Sequence, residues 1–251
     1  MTANHSIVVD FLNHCLRSVN PQTGVTAPYA GRCDKAGFAD GNLIGEALFS
    51  GPWNIASYNL VFYITDRNNN AVRMLTAGRV STIIQGYSVF RYPTGLAFTV
   101  DDLAYITTDT RGLFQLNLRN KSVTKLTSGA GLAGSLSAAQ LGYPHGLTFL
   151  STSVLLITDA GKDHLLIANI RNNTINKICT GTQGTRDGGI RSCQLHDPYS
   201  VLIVNQSVFV GQDGAIRRLP IAALGGFIQP VESSMPVPGK DSSVYHPLMA
   251  P

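Results

Sequence analysis

The sequence predicts an all-β fold, a β-propeller of about five four-stranded blades. Three observations predict it: a proline-anchored repeat, strand-like composition, and two chain ends that complete each other. The prolines Pro52, Pro93, Pro144, Pro198 and Pro247 stand 41, 51, 54 and 49 residues apart. Periods of about 40 to 50 residues with four strands each belong to propellers rather than to stacked helix pairs. Charged residues make up only 14% of the chain and apolar residues 44%, with 25 Gly and 12 Pro. Such a chain hides many short strands behind polar, uncharged turns, and it is too apolar and too weakly charged to stay unfolded.

Each copy runs through an apolar or aromatic residue, X-Pro, an inner strand, a second strand ending near Thr-Asp, and two more strands. The clearest begins at Phe49-Ser50-Gly51-Pro52-Trp53. It continues as Val61-Phe62-Tyr63-Ile64-Thr65-Asp66, Ala71-Val72-Arg73-Met74-Leu75 and Val80-Ser81-Thr82-Ile83-Ile84. A second copy starts at Tyr92-Pro93-Thr94-Gly95, a third at Tyr143-Pro144-His145-Gly146, and a fourth at Asp197-Pro198-Tyr199-Ser200; the fourth weakens after Leu219. Runs of roughly four to seven β-branched and aromatic residues between Gly, Asn, Asp or Pro read as strands. The nearest helical stretch, Leu136 to Leu141, is short.

The N-terminal segment from Ile7 to Gly31 matches the repeat from its second strand onward, while Val244 to Ala250 matches the missing first strand. Sealing one blade from both ends removes the open edges of a radial sheet array. The expected boundaries are one propeller over 1–251, with blades at 7–35 plus 243–251, 45–88, 89–130, 138–182 and 190–240. The abrupt start at Ile7-Val8-Val9 suggests a domain cut from a longer precursor, and no run of about 18 apolar residues is present to span a membrane as a helix.

Several motifs resemble the NHL-repeat family of β-propellers. Gly37-Phe38-Ala39-Asp40-Gly41 precedes Phe49-Ser50-Gly51-Pro52, and Arg186-Asp187-Gly188-Gly189 precedes Leu195-His196-Asp197-Pro198 in the same way. Tyr63-Ile64-Thr65-Asp66-Arg67-Asn68 and Val72-Arg73 complete the match, which is strong over residues 7–90 and 140–200. Members of this family usually have six blades, against about five here.

The resemblance implies two functional readings beside a plain binding module. One is a metal-dependent enzyme. In the amidating lyases of the family, a zinc ion is held by His residues that follow the repeat prolines. Here only His145 stands in that place; the other positions hold Trp53, Thr94, Tyr199 and Leu248. A catalytic zinc needs three protein ligands and an open position, so no metal or catalytic residue is expected. Asp10, Asp66 and Asp159 recur at strand ends, where side-chain to backbone bonds fixing the following turn are the expected role. A Ca²⁺ held by these carboxylates, as in propeller lactonases, is the alternative. The other reading is an RNA surface built on Arg67, Arg73, Arg91, Arg111, Arg119, Arg171, Arg217 and Arg218, with Tyr92 and Tyr143 as stacking partners. A net charge of +4 spread along the chain, without a run of like charges, argues against nucleic acid.

Four cysteines form two pairs local in sequence, and Cys15–Cys33 and Cys179–Cys193 are the expected bridges, against four buried thiols as the bland reading. Each would tie a late strand to the glycine-rich linker that follows. Asn120 and Asn172 head sequons in equivalent turns of successive blades and are the candidate glycosylation sites. Together these features predict a secreted or ectodomain binding protein that takes a protein, peptide or glycan on one loop-bearing face. Trp53, Tyr92, Tyr143, His145 and Tyr199 are the ligand-face candidates, with inter-blade packing as their competing role.

Overall fold

The computed structural model describes residues 5–110, 112–128, 134–179 and 182–225. The chain is all-β, and its five antiparallel sheets are blades of the β-propeller class. The first blade is β1 (Ser6–Asp10), β2 (Cys15–Val19) and β3 (Thr26–Ala30), in that order. The second holds β4 (Gly41–Asn42), β5 (Pro52–Tyr58), β6 (Val61–Asp66), β7 (Ala71–Thr76) and β8 (Arg79–Gln85), ordered β4-β8-β7-β6-β5. The third holds β9 (Pro93–Phe98), β10 (Leu103–Thr108), β11 (Gly112–Asn117) and β12 (Val123–Lys125). The fourth holds β13 (Gly134–Ser135), β14 (Pro144–Phe149), β15 (Val154–Asp159), β16 (His164–Asn169) and β17 (Thr174–Ile178), with β13 outside β17. The fifth is β18 (Ser200–Val204), β19 (Ser207–Gln212) and β20 (Ala215–Pro220).

The uniform four-strand blade therefore needs correction. The linkers into the second and fourth blades each add a two-residue fifth strand, because Gly41-Asn42 and Gly134-Ser135 reach the outermost hairpin strand and pair with it. The first and fifth blades show three strands among the described residues. The segment 243–251, expected to complete the first blade, lies outside the described residues, as does the end of the fifth blade after 225.

The described residues fall into two compact units, the first ending at Leu96 and the second starting at Ala97. In the first unit, Leu16, Phe49, Ile55, Ile64, Leu75 and Val80 form one buried cluster. The second unit has two, one around Leu141, Leu155, Ile157 and Leu166, the other around Leu156, Leu165, Ile178, Val208 and Val210. Burial is greatest in the middle strands and falls outward: all six residues of β15 are buried, whereas Thr124 and Lys125 on β12 are exposed. This is why second strands read as near-continuous apolar runs and outer strands as polar ones.

The Thr-Asp ending of the second strand is a stitch. Thr65 is fully buried, accepts the Asn54 N–H at 2.9 Å and donates to the Thr94 carbonyl at 2.8 Å, joining its own inner strand to the next one. In the second unit, Thr158 accepts the Gly146 N–H at 2.7 Å, and Thr107 donates to the His145 carbonyl at 3.4 Å. Each buried bond contributes about 1 kcal/mol, and leaving one of these amides bare costs more. The neighbouring carboxylates hold the entering chain: Asp66 accepts the Ser50 N–H at 2.8 Å, and Asp159 accepts those of Gly142 and Tyr143 at 2.7 and 2.8 Å. Both therefore brace the turn before the inner strand; Asp66 also braces the turn after its own second strand, as expected, by accepting the Asn69 side-chain amide at 2.8 Å, whereas the Asp159 bonds go to the entering chain. Asp10 does brace its own following turn, through Asn13.

Both expected bridges are present: Cys15–Cys33 and Cys179–Cys193, with Cα–Cα distances of 5.0 and 4.6 Å. The described residues include no free cysteine, so the reading of four buried thiols is overturned. Loops of 18 and 14 residues place the stabilisation of each at about 3 kcal/mol in the loop-entropy account.

Candidate functional site

In the first unit the inner strand begins where the second strand ends, since Pro52 pairs with Asp66. A bulge after Pro52 sets Trp53 out of register. Pro is suited to this first strand position because it has no N–H to lose. Trp53 and the turn residues after β1 and β6 thus lie at one end of their sheets. There the Arg67 guanidinium lies 5.8 Å from the Phe11 ring centre, 5.3 Å from that of Trp53 and 5.0 Å from that of Tyr92. Phe11 meets Trp53 edge to face at 5.1 Å. The predicted Trp53 and Tyr92 are therefore brought together, around an arginine and a phenylalanine. Trp53 is 7% exposed, so most of its ring is packing, whereas Tyr92 and Arg67 are half-buried.

Tyr92 sits at φ +49°, a left-handed conformation that is uncommon for an aromatic residue. The Asn70 Oδ1 accepts its N–H at 3.0 Å and holds it there. The connector before it adds Arg91, 4.0 Å from the Tyr87 ring centre and 5.4 Å from that of Tyr92.

The second unit carries different chemistry at the corresponding strand ends. His145, on β14, is 9% exposed, with Nε2 3.2 Å from the Asp109 Oδ1. Its ring stacks on Tyr199 at 5.2 Å with planes 12° apart. Burial, with the carboxylates of Asp197 and Asp213 nearby, pushes the Tyr199 hydroxyl above its usual range. Burial also raises the Asp159 carboxyl, against the lowering pull of the Gly142 and Tyr143 amides. Tyr143 is 49% exposed, and its backbone amide is held by Asp159. Of the predicted residues, His145 and Tyr199 thus meet in this unit, and Tyr143 joins through its backbone.

Among the described residues no three His, Cys, Asp or Glu side chains stand close enough to hold a metal ion. A cleft of about 430 Å³ in the second unit is lined by Tyr105, Gln115, Lys125, Ser137, Arg171 and Asn173; it takes in Arg171 of the predicted arginine set and none of the five ligand-face candidates. Asn120 and Asn172 are exposed on turns of identical design: the Asn117 and Asn169 side chains each accept two backbone amides of the turn.

The surface-arginine set needs correction. Arg73 is fully buried, paired with Asp66 at 2.7 Å and Asp40 at 2.8 Å, bonded to the Leu48 and Ala39 carbonyls, and packed against the Phe38 and Phe49 rings. Arg217 is tied to Asp187 and the Thr185 carbonyl, and Arg119 to Asp102 at 2.6 Å. Phe11 and Asp109 were not singled out in the sequence. Phe11 follows Asp10 as Arg67 follows Asp66, and that parallel was the available signal. Arg111 lies outside the described residues.

No protein-family model matches the chain, and no curated protein matches it in sequence. Solved β-propellers match it in structure. An auxiliary nutrient binding protein from Bacteroides thetaiotaomicron aligns at TM-score 0.58 and 12% identity, over 83% of this chain and 64% of that one. The chain thus spans under two thirds of that neighbour's length. A chain of a nidogen/laminin complex aligns at TM-score 0.55 and 10% identity, over 87% and 90% of the two chains. Virginiamycin B lyase from Staphylococcus aureus aligns at TM-score 0.50 and 11% identity, over 88% and 85%. At these identities the likeness is one of fold.

Proposed function

We propose that this chain is a non-enzymatic binding module, an NHL-like propeller of a secreted or ectodomain protein that takes a protein, peptide or glycan through its strand-end loops. The observation that carries the reading is the cluster of Phe11, Trp53 and Tyr92 around Arg67. Loops held by rigid sheets are where binding residues concentrate, and aromatic rings with arginine are the side chains that most often anchor interfaces. Two bridged cysteine pairs support an oxidising compartment. One structural neighbour is described as an auxiliary nutrient binding protein and another as part of a nidogen/laminin complex, and both descriptions support a binding role. Use of Asn120 and Asn172 as glycan acceptors belongs to the same reading.

The test is capture on peptide and glycan arrays by the immobilised chain and its Tyr92→Ala variant. Loss of at least tenfold in capture with a melting temperature within about 3 °C of the parent supports the reading. Equal capture by both chains, or turnover in lyase or lactonase assays, sinks it.

A further inference from the structure

We infer that the Arg91 and Arg67 edge of the first unit is a site for an acidic saccharide, a sugar carrying carboxylate or sulfate groups. The inference rests on the binding-module reading and names the ligand class of that surface.

Arg91 is half-buried, and its Nε is out of contact with solvent and without a hydrogen-bond partner. Among the described residues no hydrogen bond or carboxylate engages its guanidinium; what it has instead is two tyrosine rings, at 4.0 and 5.4 Å. Rings that contact the flat face of a guanidinium leave its N–H edge for a planar anion, which two parallel bonds then hold. Arg67 lies 5.0 Å from the same Tyr92 ring, so two like charges flank one aromatic group. Arg67 also donates from Nη1 to the Asn68 Oδ1 at 3.2 Å, which fixes it beside the same edge. An anion arriving there satisfies Arg91 donors that are partly desolvated already.

The rest of the surface suits a sugar body. Tyr87 is 57% exposed, a platform on which the C–H face of a pyranose can stack. Ser88 and Asn68 are exposed beside the two arginines in sequence and offer a hydroxyl and an amide to sugar hydroxyls. Stacking on aromatics beside cations would also suit single-stranded nucleic acid. The bridged cysteines favour the saccharide, because they belong to a compartment where RNA is not the resident polyanion.

The experiment is calorimetric titration of the full chain with octasaccharides of three kinds: sulfated heparin, carboxylate-only galacturonate, and a neutral glucan. Inorganic sulfate and poly(U) are run beside them. One or both acidic octasaccharides should bind, and the neutral one at least tenfold more weakly. Arg91→Gln and Arg67→Gln should each weaken binding on the order of tenfold, Arg91→Lys nearly as much because the paired edge is lost, and Tyr87→Ala several-fold. Lys121→Gln removes the same charge from an exposed turn and should change nothing. The proposal falls if Lys121→Gln weakens binding as much as Arg91→Gln, or if acidic and neutral sugars bind alike or not at all. It falls as well if inorganic sulfate binds as tightly as the sulfated octasaccharide, or if poly(U) binds more tightly than either acidic sugar. Peptide or neutral-glycan capture that survives Arg91→Gln would remove this inference and leave the broader binding reading standing.

Discussion

The second and fourth blades share a backbone plan and differ in what their strand ends are made of. Both start at a bulged proline facing a buried aspartate, Pro52 on Asp66 and Pro144 on Asp159. In the second blade a buried arginine completes the design. Arg73 joins β7 to the linker through Asp40, which also accepts the Thr82 hydroxyl and amide at 2.8 and 3.0 Å. Burial pushes the Asp40 carboxyl up, but Thr82 and Arg73 outweigh it and hold it below its usual range. In the fourth blade the equivalent third-strand residue is Leu166, and Asp159 rests on backbone amides alone apart from distant charges. The same sheet end can thus be locked either by an ion-pair staple or by amide caging. The first route leaves a cationic, aromatic surface around Arg67, the second an imidazole–carboxylate one around His145.

The largest effect should come from breaking the staple. Arg73→Ala strands Asp66 as an uncompensated buried charge and should cost about 3–5 kcal/mol in urea unfolding. Leu166→Ala, at the same blade position, should cost about 2–5 kcal/mol through a cavity, with no change in salt or pH dependence. A similar cost with no pH signature in both variants would erase the distinction.

Removing a bridge comes next. Cys179→Ser with Cys193→Ser should lose about 3 kcal/mol, and the Cys15, Cys33 double variant a similar amount, because the closed loops are of similar length. Thermal unfolding with and without reductant checks both.

His164 gives the fourth blade a pH handle close to neutrality. Burial, together with Lys177 and Lys162, lowers its pKa from 6.5 to about 4. The unfolded chain then binds more protons than the folded one between those values, so stability is full above pH 6.5 and is lost as the pH falls toward 4. The parent should lose about 2 kcal/mol between pH 7 and pH 5 through this group, and His164→Asn should lose that slope. A parent whose stability is flat over that range would remove the difference between the blades.

The smallest effect belongs to the exposed side. Arg67→Gln should cost about 1 kcal/mol of folding stability, the worth of its aromatic contacts at a partly exposed site, while its effect on ligand capture is much larger. A stability loss as large as that of Arg73→Ala would make Arg67 a second staple rather than part of a surface.

Much of the fold was legible in the residues themselves. The repeat prolines mark where inner strands begin, and Thr-Asp marks where second strands end, because both positions have local backbone needs that only certain residues meet. The cysteine pairs were legible because each loop is short. The two similar linkers, Phe38-Ala39-Asp40-Gly41 and Thr185-Arg186-Asp187-Gly188, even meet the same arginine position, Arg73 in one blade and Arg217 in the other. That pairing joins residues 33 and 30 apart in sequence, and nothing local distinguishes Arg73, which is fully buried, from Arg67, which lies against the surface aromatics.

Sequence alone determined the blade plan, the bridge partners and which residue types crowd the strand ends, since strand periodicity, turn chemistry and loop closure act over a few to some twenty residues. Only the tertiary structure decided which of those residues meet. Trp53 and Tyr92 share Arg67, and His145 lies on Tyr199 and beside Asp109. The physical reason is that contacts between neighbouring sheets depend on the accumulated twist and bulges of whole strands. A single register shift, such as the one after Pro52, redirects every side chain that follows it.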